Sequence, residues 1–209
     1  MMKNSLTIAF GLAAFPAAAT PSVPGPVASE KATYELGSCI VKSDREMAAR
    51  LMRDLPPAST QVAIGGLRLG KCTSGSPAVR AITLRGSIAQ ALLLRDFPRF
   101  GVPPRITPSH FVQFDLPVET GTNTDARTAA LYKMSDCVVR NQGIKIERLF
   151  RADIGSNIEG RLIDYLAPTI QACQGANVRV TRTDFRSALA QSAYKVSVRY
   201  WLGELYSAE

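Results

Sequence analysis

Apolar positions recur every three or four residues through most of the chain, and clusters of proline and glycine cut that pattern into segments. This period marks helices that bury one face. Tyr34, Leu36, Ile40 and Val41 suit one such face. Ser43-Asp44-Arg45-Glu46 follows with capping-box spacing and predicts a helix with Met47, Leu51 and Met52 inward. Leu55-Pro56-Pro57 ends it, because proline lacks the N–H and disfavours helix at the residue before it. Ser59 is the next N-cap candidate. Val62, Ile64, Leu67 and Leu69 predict a third helix to Cys72, weakened by Gly65-Gly66. Thr73 to Pro77 reads as a turn, and Ile82, Leu84, Ile88, Leu92 and Leu93 predict a last helix.

In the second half, Ser156-x-x-Glu159 is a cleaner capping box ahead of Leu162, Ile163, Tyr165, Leu166 and Ile170. The final segment has two periods. Tyr194, Val196, Val198 and Tyr200 alternate as in a strand, while Val198, Trp201, Leu202 and Leu205 keep helical spacing. The equivalent segment of the first half selects helix. Between the halves, Pro98, Pro103, Pro104, Pro108 and Pro117 break any helix across Arg95–Asn123, where His110–Leu116 could form one short extended piece. Phe97, Phe100, Phe111 and Phe114 are too apolar for water, so this linker is expected to pack across both halves.

The halves echo each other. YELGSCIVK begins at Tyr34 and YKMSDCVVR begins at Tyr132, 98 positions later. At that offset Cys39 meets Cys137, and Arg50-Leu51-x-Arg53 meets Arg148-Leu149-x-Arg151. At an offset of 101, Cys72 meets Cys173, and LRGSIAQA (Leu84–Ala91) meets FRSALAQS (Phe185–Ser192). The expected fold is all-α: two tandem helical units, 30–95 and 124–209, joined by a Pro-rich linker, 96–123. The repeated pairs Arg85/Arg186 and Gln90/Gln191 are expected to be structural, pairing between helices inside each unit. Arg and Gln five residues apart on one helix point in different directions and would not share a ligand.

The start of the chain changes the setting. Lys3, the uncharged run Leu6–Phe15 and Ala17-x-Ala19 follow the order of a secretory signal. Residues 1–19 are expected to be cleaved after Ala19, leaving 20–29 as a flexible N-terminal segment. A periplasmic or secreted, soluble protein is the result. In an oxidising compartment four cysteines read as two disulfides. A bridge inherited with each unit selects Cys39–Cys72 and Cys137–Cys173, each expected to contribute roughly 3–4 kcal/mol by restricting the unfolded chain. A zinc site is not expected, since no two cysteines lie close together in sequence.

Catalytic signals are thin. His110 is the sole histidine, and its neighbours Ser109 and Asp115 do not make a triad by adjacency. Asp153, Glu159 and Asp184 stand near helix starts, where the helix dipole favours carboxylates. No Gly-rich phosphate loop is present, and no cofactor or metal is expected. Charge is more informative. Without Lys3 the chain carries 24 Lys and Arg against 17 Asp and Glu. Arg179, Arg182 and Arg186 could share one helical face as an anion-binding stripe, and Lys145, Arg148 and Arg151 could share another. Export points away from nucleic acid and towards an anionic envelope component or an acidic protein.

Cysteine followed by Ile-Val or Val-Val, a second cysteine 33 or 36 residues on, and LRG-x-x-A opening the last helix form one pattern. It resembles a group of uncharacterised exported helical proteins of Gram-negative bacteria, with Ser187 replacing the glycine in the second unit. The resemblance implies export and a helical fold and carries no activity. The functional expectation is a non-enzymatic binding or structural module of the cell envelope. The alternative is a secreted hydrolase, or the inhibitor of one, with its site between the units.

Overall fold

Helix α3 (Ala81–Asp96) shows no exposed residue from Ala81 to Ala89, and α6 (Arg182–Tyr206) is buried without a break from Asp184 to Ala193. Helices buried all round belong at the centre of a bundle. The computed structural model describes residues 26–55, 61–67, 69, 71–72, 78–99, 101–103, 126–174 and 181–206. There α3 and α6 pack on each other, α1 (Pro26–Ser43) lies against α3, and α4 (Ala126–Arg151) lies against α6. Helix α2 (Arg45–Asp54) follows α1 around the first-half core, and α5 (Asn157–Cys173) packs on α4. The fold is therefore mainly helical. Leu84, Ile88 and Leu92 of α3 share one core with Val139, Ile146 and Leu149 of α4 and with Leu189 of α6. Burying each such side chain is worth about 1.5–3 kcal/mol.

The central helices meet at their smallest side chains. A Cβ on Gly86 would stand 2.5 Å from the Cα of Ser187, so a glycine is needed where α3 crosses α6. Gly37 of α1 likewise abuts Ser87 of α3.

Local rules account for the helix ends. Asp44 is extended (φ −155°), and its carboxylate accepts from the Met47 N–H at 2.9 Å, which starts α2. The expected cap, Ser43, is instead the last residue of α1. The carboxylate two atoms beyond its own Cα reaches the N3 amide from position 44, whereas Ser43 would have required the break one residue earlier. At the equivalent place in α4, Gln142 leaves the helical region (φ −136°) and the helix kinks without ending. Its side chain is turned to Thr169 of α5, with Nε2 donating to Oγ1 at 3.1 Å. Ser156 caps α5 by accepting from the Glu159 N–H at 3.2 Å, as its capping box predicts.

Two expectations about elements resolve differently. The third helix of the first half is absent: Gln61–Ala63 forms strand β1, paired antiparallel with β2 (Ala78–Arg80), and a 3₁₀ turn covers Ile64–Gly66. Two successive glycines cost a helix about 1 kcal/mol each, and the ribbon still places Ile64 and Leu69 on the core. The ambiguous last segment is helix. Val196 and Ser197 are buried there, and the Trp201 indole N–H donates to the Gly101 carbonyl at 3.1 Å.

Two disulfides staple the halves, Cys39–Cys72 and Cys137–Cys173, each with Cα atoms 5.7 Å apart. Of the linker, Phe97 packs against the Tyr194 ring at 6.3 Å between centroids, and residues 101–103 are buried. Residues 1–19, where a secretory signal is expected, and Phe100, Phe111, Phe114 and the Ser109–His110 pair lie outside the described residues. Among the described residues no helix is long and apolar enough to cross a membrane.

Candidate functional site

Burial breaks the expected Arg179–Arg182–Arg186 stripe. Arg186 is 1% exposed, and its Nη1 donates to Glu159 Oε1 at 2.5 Å. Arg182 pairs with the other oxygen of the same carboxylate. Glu159 is 0% exposed and also accepts the Gly155 N–H at 2.7 Å, so one side chain caps α5 and neutralises the core arginine. The Arg186 guanidinium lies over the Tyr34 and Phe150 rings, at 5.2 and 5.9 Å from their centroids. Burial lowers the pKa of Arg186 and pushes the Tyr34 phenol up to about 12. A guanidinium enclosed in this way is not open to an external anion. Arg179 lies outside the described residues.

The repeated arginines pair inside their own halves as expected, Arg85 with the Leu55 carbonyl and Arg186 with Glu159, and each also reaches the glutamine of the other half, beyond that expectation. Arg85 Nε donates to Gln191 Oε1 at 3.0 Å, and Arg186 Nε donates to Gln90 Oε1 at 3.3 Å. The close approach of α3 to α6 at Gly86 and Ser187 sets the exchange, because each helix presents its arginine to the other helix's glutamine. The Tyr132 hydroxyl donates to Gln191 Oε1 at 2.9 Å, and the Tyr34 hydroxyl lies 3.4 Å from Ser187 Oγ. Buried donors of this kind need their acceptors, so the polar residues hold the central helices in register.

A polar pocket of about 230 Å³ lies beside this centre, bounded by Glu30, Thr33, Arg80, Thr83 and Thr183. Thr183 donates to Glu30 Oε2 at 2.9 Å, and Arg80 is paired with Asp184. The carboxylate of the pocket lining, among the described residues, is Glu30. Among the described residues no three His, Cys, Asp or Glu side chains gather as a metal site.

A second concavity has a different character. On α4, Lys145, Arg148 and Arg151 recur every third residue along one side of a groove of about 490 Å³. Arg161 of α5 adds a fourth cation to the lining. Ile158, Leu162 and Tyr165, at i, i+4 and i+7 of α5, supply apolar lining, and among the described residues no carboxylate lines the groove. The Lys145 ammonium stands 4.3 Å above the Tyr165 ring. Arg151 is held by Glu147 at 2.9 Å, whereas Arg148 and Arg161 have no ion-pair partner among the described residues. Ile158 is 56% and Tyr165 57% exposed, and Ile144, one turn before Arg148, is 51% exposed. These are the exposed large hydrophobic side chains among the described residues, and two of them, Ile158 and Tyr165, line the groove.

Sequence reasoning found Lys145, Arg148 and Arg151 but passed over Ile158 and Arg161. The missed signal is that α5 has more apolar positions than one buried stripe needs. Leu166 is buried and Ile163 and Ile170 pack on the core. Ile158 and Tyr165 fall off that stripe. Compared with protein-family models, with curated proteins and with solved structures, the chain matches none.

Proposed function

We propose that this chain is an exported, non-enzymatic binding module built by tandem duplication, and that its binding surface is the groove between α4 and α5. The observation that carries the reading is the coincidence, in one groove, of four cations, no lining carboxylate among the described residues and the exposed apolar side chains Ile158 and Tyr165. Cations beside apolar surface attract a partner that is both anionic and apolar. The duplication draws support from the Arg85–Gln191 and Arg186–Gln90 exchange, and from the helix breaks at Asp44 and Gln142, which stand 98 residues apart. Export draws support from the two disulfides, which persist in oxidising compartments. An anionic envelope component or an acidic protein is the class of partner.

The reading is tested by retention on an immobilised polyanion across a salt series. Arg148→Glu with Arg161→Glu is compared with a control of equal charge change, Lys71→Glu with Lys133→Glu, both exposed positions. The groove pair is expected to elute at clearly lower salt than the control pair. Equal loss in both would mean that retention reports net charge alone.

A further inference from the structure

Resting on that reading of the α4–α5 groove, we infer that its occupant is an acidic amphipathic helix of a partner protein, which lies along α5 as a third helix of the α4–α5 pair. Ile158, Leu162 and Tyr165 form a stripe of i, i+4, i+7 spacing on α5, roughly 10 Å long at 1.5 Å per residue. A stripe with that period complements another helix, whose apolar anchors repeat in the same way. Helix α5 packs on α4, and of this stripe Leu162 rests partly on the core while Ile158 and Tyr165 are left more than half exposed. The charges set the partner's sign. Lys145, Arg148 and Arg151 come from α4 and Arg161 from α5, beside the apolar positions, so a seated helix needs Asp or Glu next to its own apolar stripe. Tyr and Arg are also the residue types that most often anchor protein interfaces.

The shape favours a helix over a lipid surface. The apolar residues and the cations line the same concavity, with Leu162 resting on the core beneath them, whereas a peripheral membrane site projects its apolar side chains outward beyond the charges. Glu147, the acid nearest in sequence to the α4 cations, is tied to Arg151 and lies against Gly101. It does not compete for Arg148 or Arg161.

The test is selection from a displayed library of random peptides about four turns long, with the full disulfide-bonded protein as bait. Co-sedimentation with vesicles of equal parts phosphatidylglycerol and phosphatidylcholine runs in parallel. The inference expects enriched peptides to carry apolar residues at i, i+3 or i+4, and i+7 next to acidic residues. Their affinity should fall roughly tenfold or more in Tyr165→Ala and in Arg148→Glu with Arg161→Glu. Circular dichroism of both variants must match the wild type, and Tyr165→Phe, which keeps the ring, should retain binding. Acidic peptides without the period, indifferent to Tyr165→Ala, would overturn the helix while leaving the anion reading intact. Groove-dependent binding to vesicles with no enriched peptide would overturn it in favour of a membrane. If no acidic peptide is enriched and the polyanion column also fails to separate the groove pair from its control, both readings fall.

Discussion

Arg85 and Gln191 belong to different halves of the chain, yet Arg85 Nε donates to Gln191 Oε1 at 3.0 Å in the middle of the core. Tyr132 donates to the same oxygen at 2.9 Å, so Gln191 is the acceptor for two buried donors. Its counterpart Gln90 receives only Arg186 Nε, at 3.3 Å, and Arg186 has Glu159 as well. Gln191→Leu is therefore expected to cost more than Gln90→Leu, by about 1–3 kcal/mol for each additional donor left unmet. Urea denaturation midpoints measure the difference. Equal losses would mean that the exchange does not hold the halves together.

The ion pair at Glu159 gives a sharper case. Glu159→Gln keeps a side chain that can cap α5 but removes the counter-charge of a buried arginine, with an expected cost of about 3–5 kcal/mol. Adding Arg186→Met to Glu159→Leu removes both charges together and is expected to recover much of that loss. A double variant as unstable as the sum of its single changes would contradict the pairing.

Two glycines should respond with opposite signs. Gly86→Ala forces a Cβ against the backbone of Ser187 and is expected to lower the melting temperature, at about 1–3 kcal/mol. Gly160→Ala adds a methyl with nothing within 4 Å, inside α5, and is expected to raise stability by about 0.5–1 kcal/mol. A calorimetric scan of the two variants decides it.

Alkaline pH should unfold the protein through its tyrosines. Burial pushes Tyr34, Tyr132 and Tyr194 up to about 12 from an ordinary value of 10.0, with the Asp96 carboxylate adding to the effect at Tyr194. A folded pKa above the unfolded one stabilises the protonated state. That contribution is complete below pH 10 and is lost as pH rises from about 10 through about 12. For the fully buried Tyr34 and Tyr132 the slope is about 1.4 kcal/mol per pH unit each. Phenolate absorbance near 295 nm should rise late and together with loss of helical circular dichroism. Full ionisation near pH 10 with the helices intact would contradict the buried hydroxyl contacts.

What the chain discloses before folding follows from how local each signal is. The capping box at Ser156 and Glu159 is legible because its partners lie within one turn. The disulfide partners are legible because the echo places each cysteine opposite another. Strand β1 is not, since three residues carry no period and only pairing with residues 78–80 makes them a strand. Arg186 misleads for a physical reason. A helix buried on all sides has no polar face, so three-and-four spacing of arginines says nothing about solvent, and Glu159, 27 residues away, decides where Arg186 points. Ile158 and Tyr165 could be read as surplus to the buried stripe of α5, but only once α4 is known to cover the other side.

The groove itself is tested most directly by residue-resolved amide spectra of the full protein titrated with poly-glutamate. The account predicts shifts concentrated at 144–151 and 158–165 that fade as salt is raised, with Arg186 and its neighbours on α6 unchanged. Shifts centred on the exposed α2 surface around Arg50, or spread evenly over every basic side chain, would contradict it.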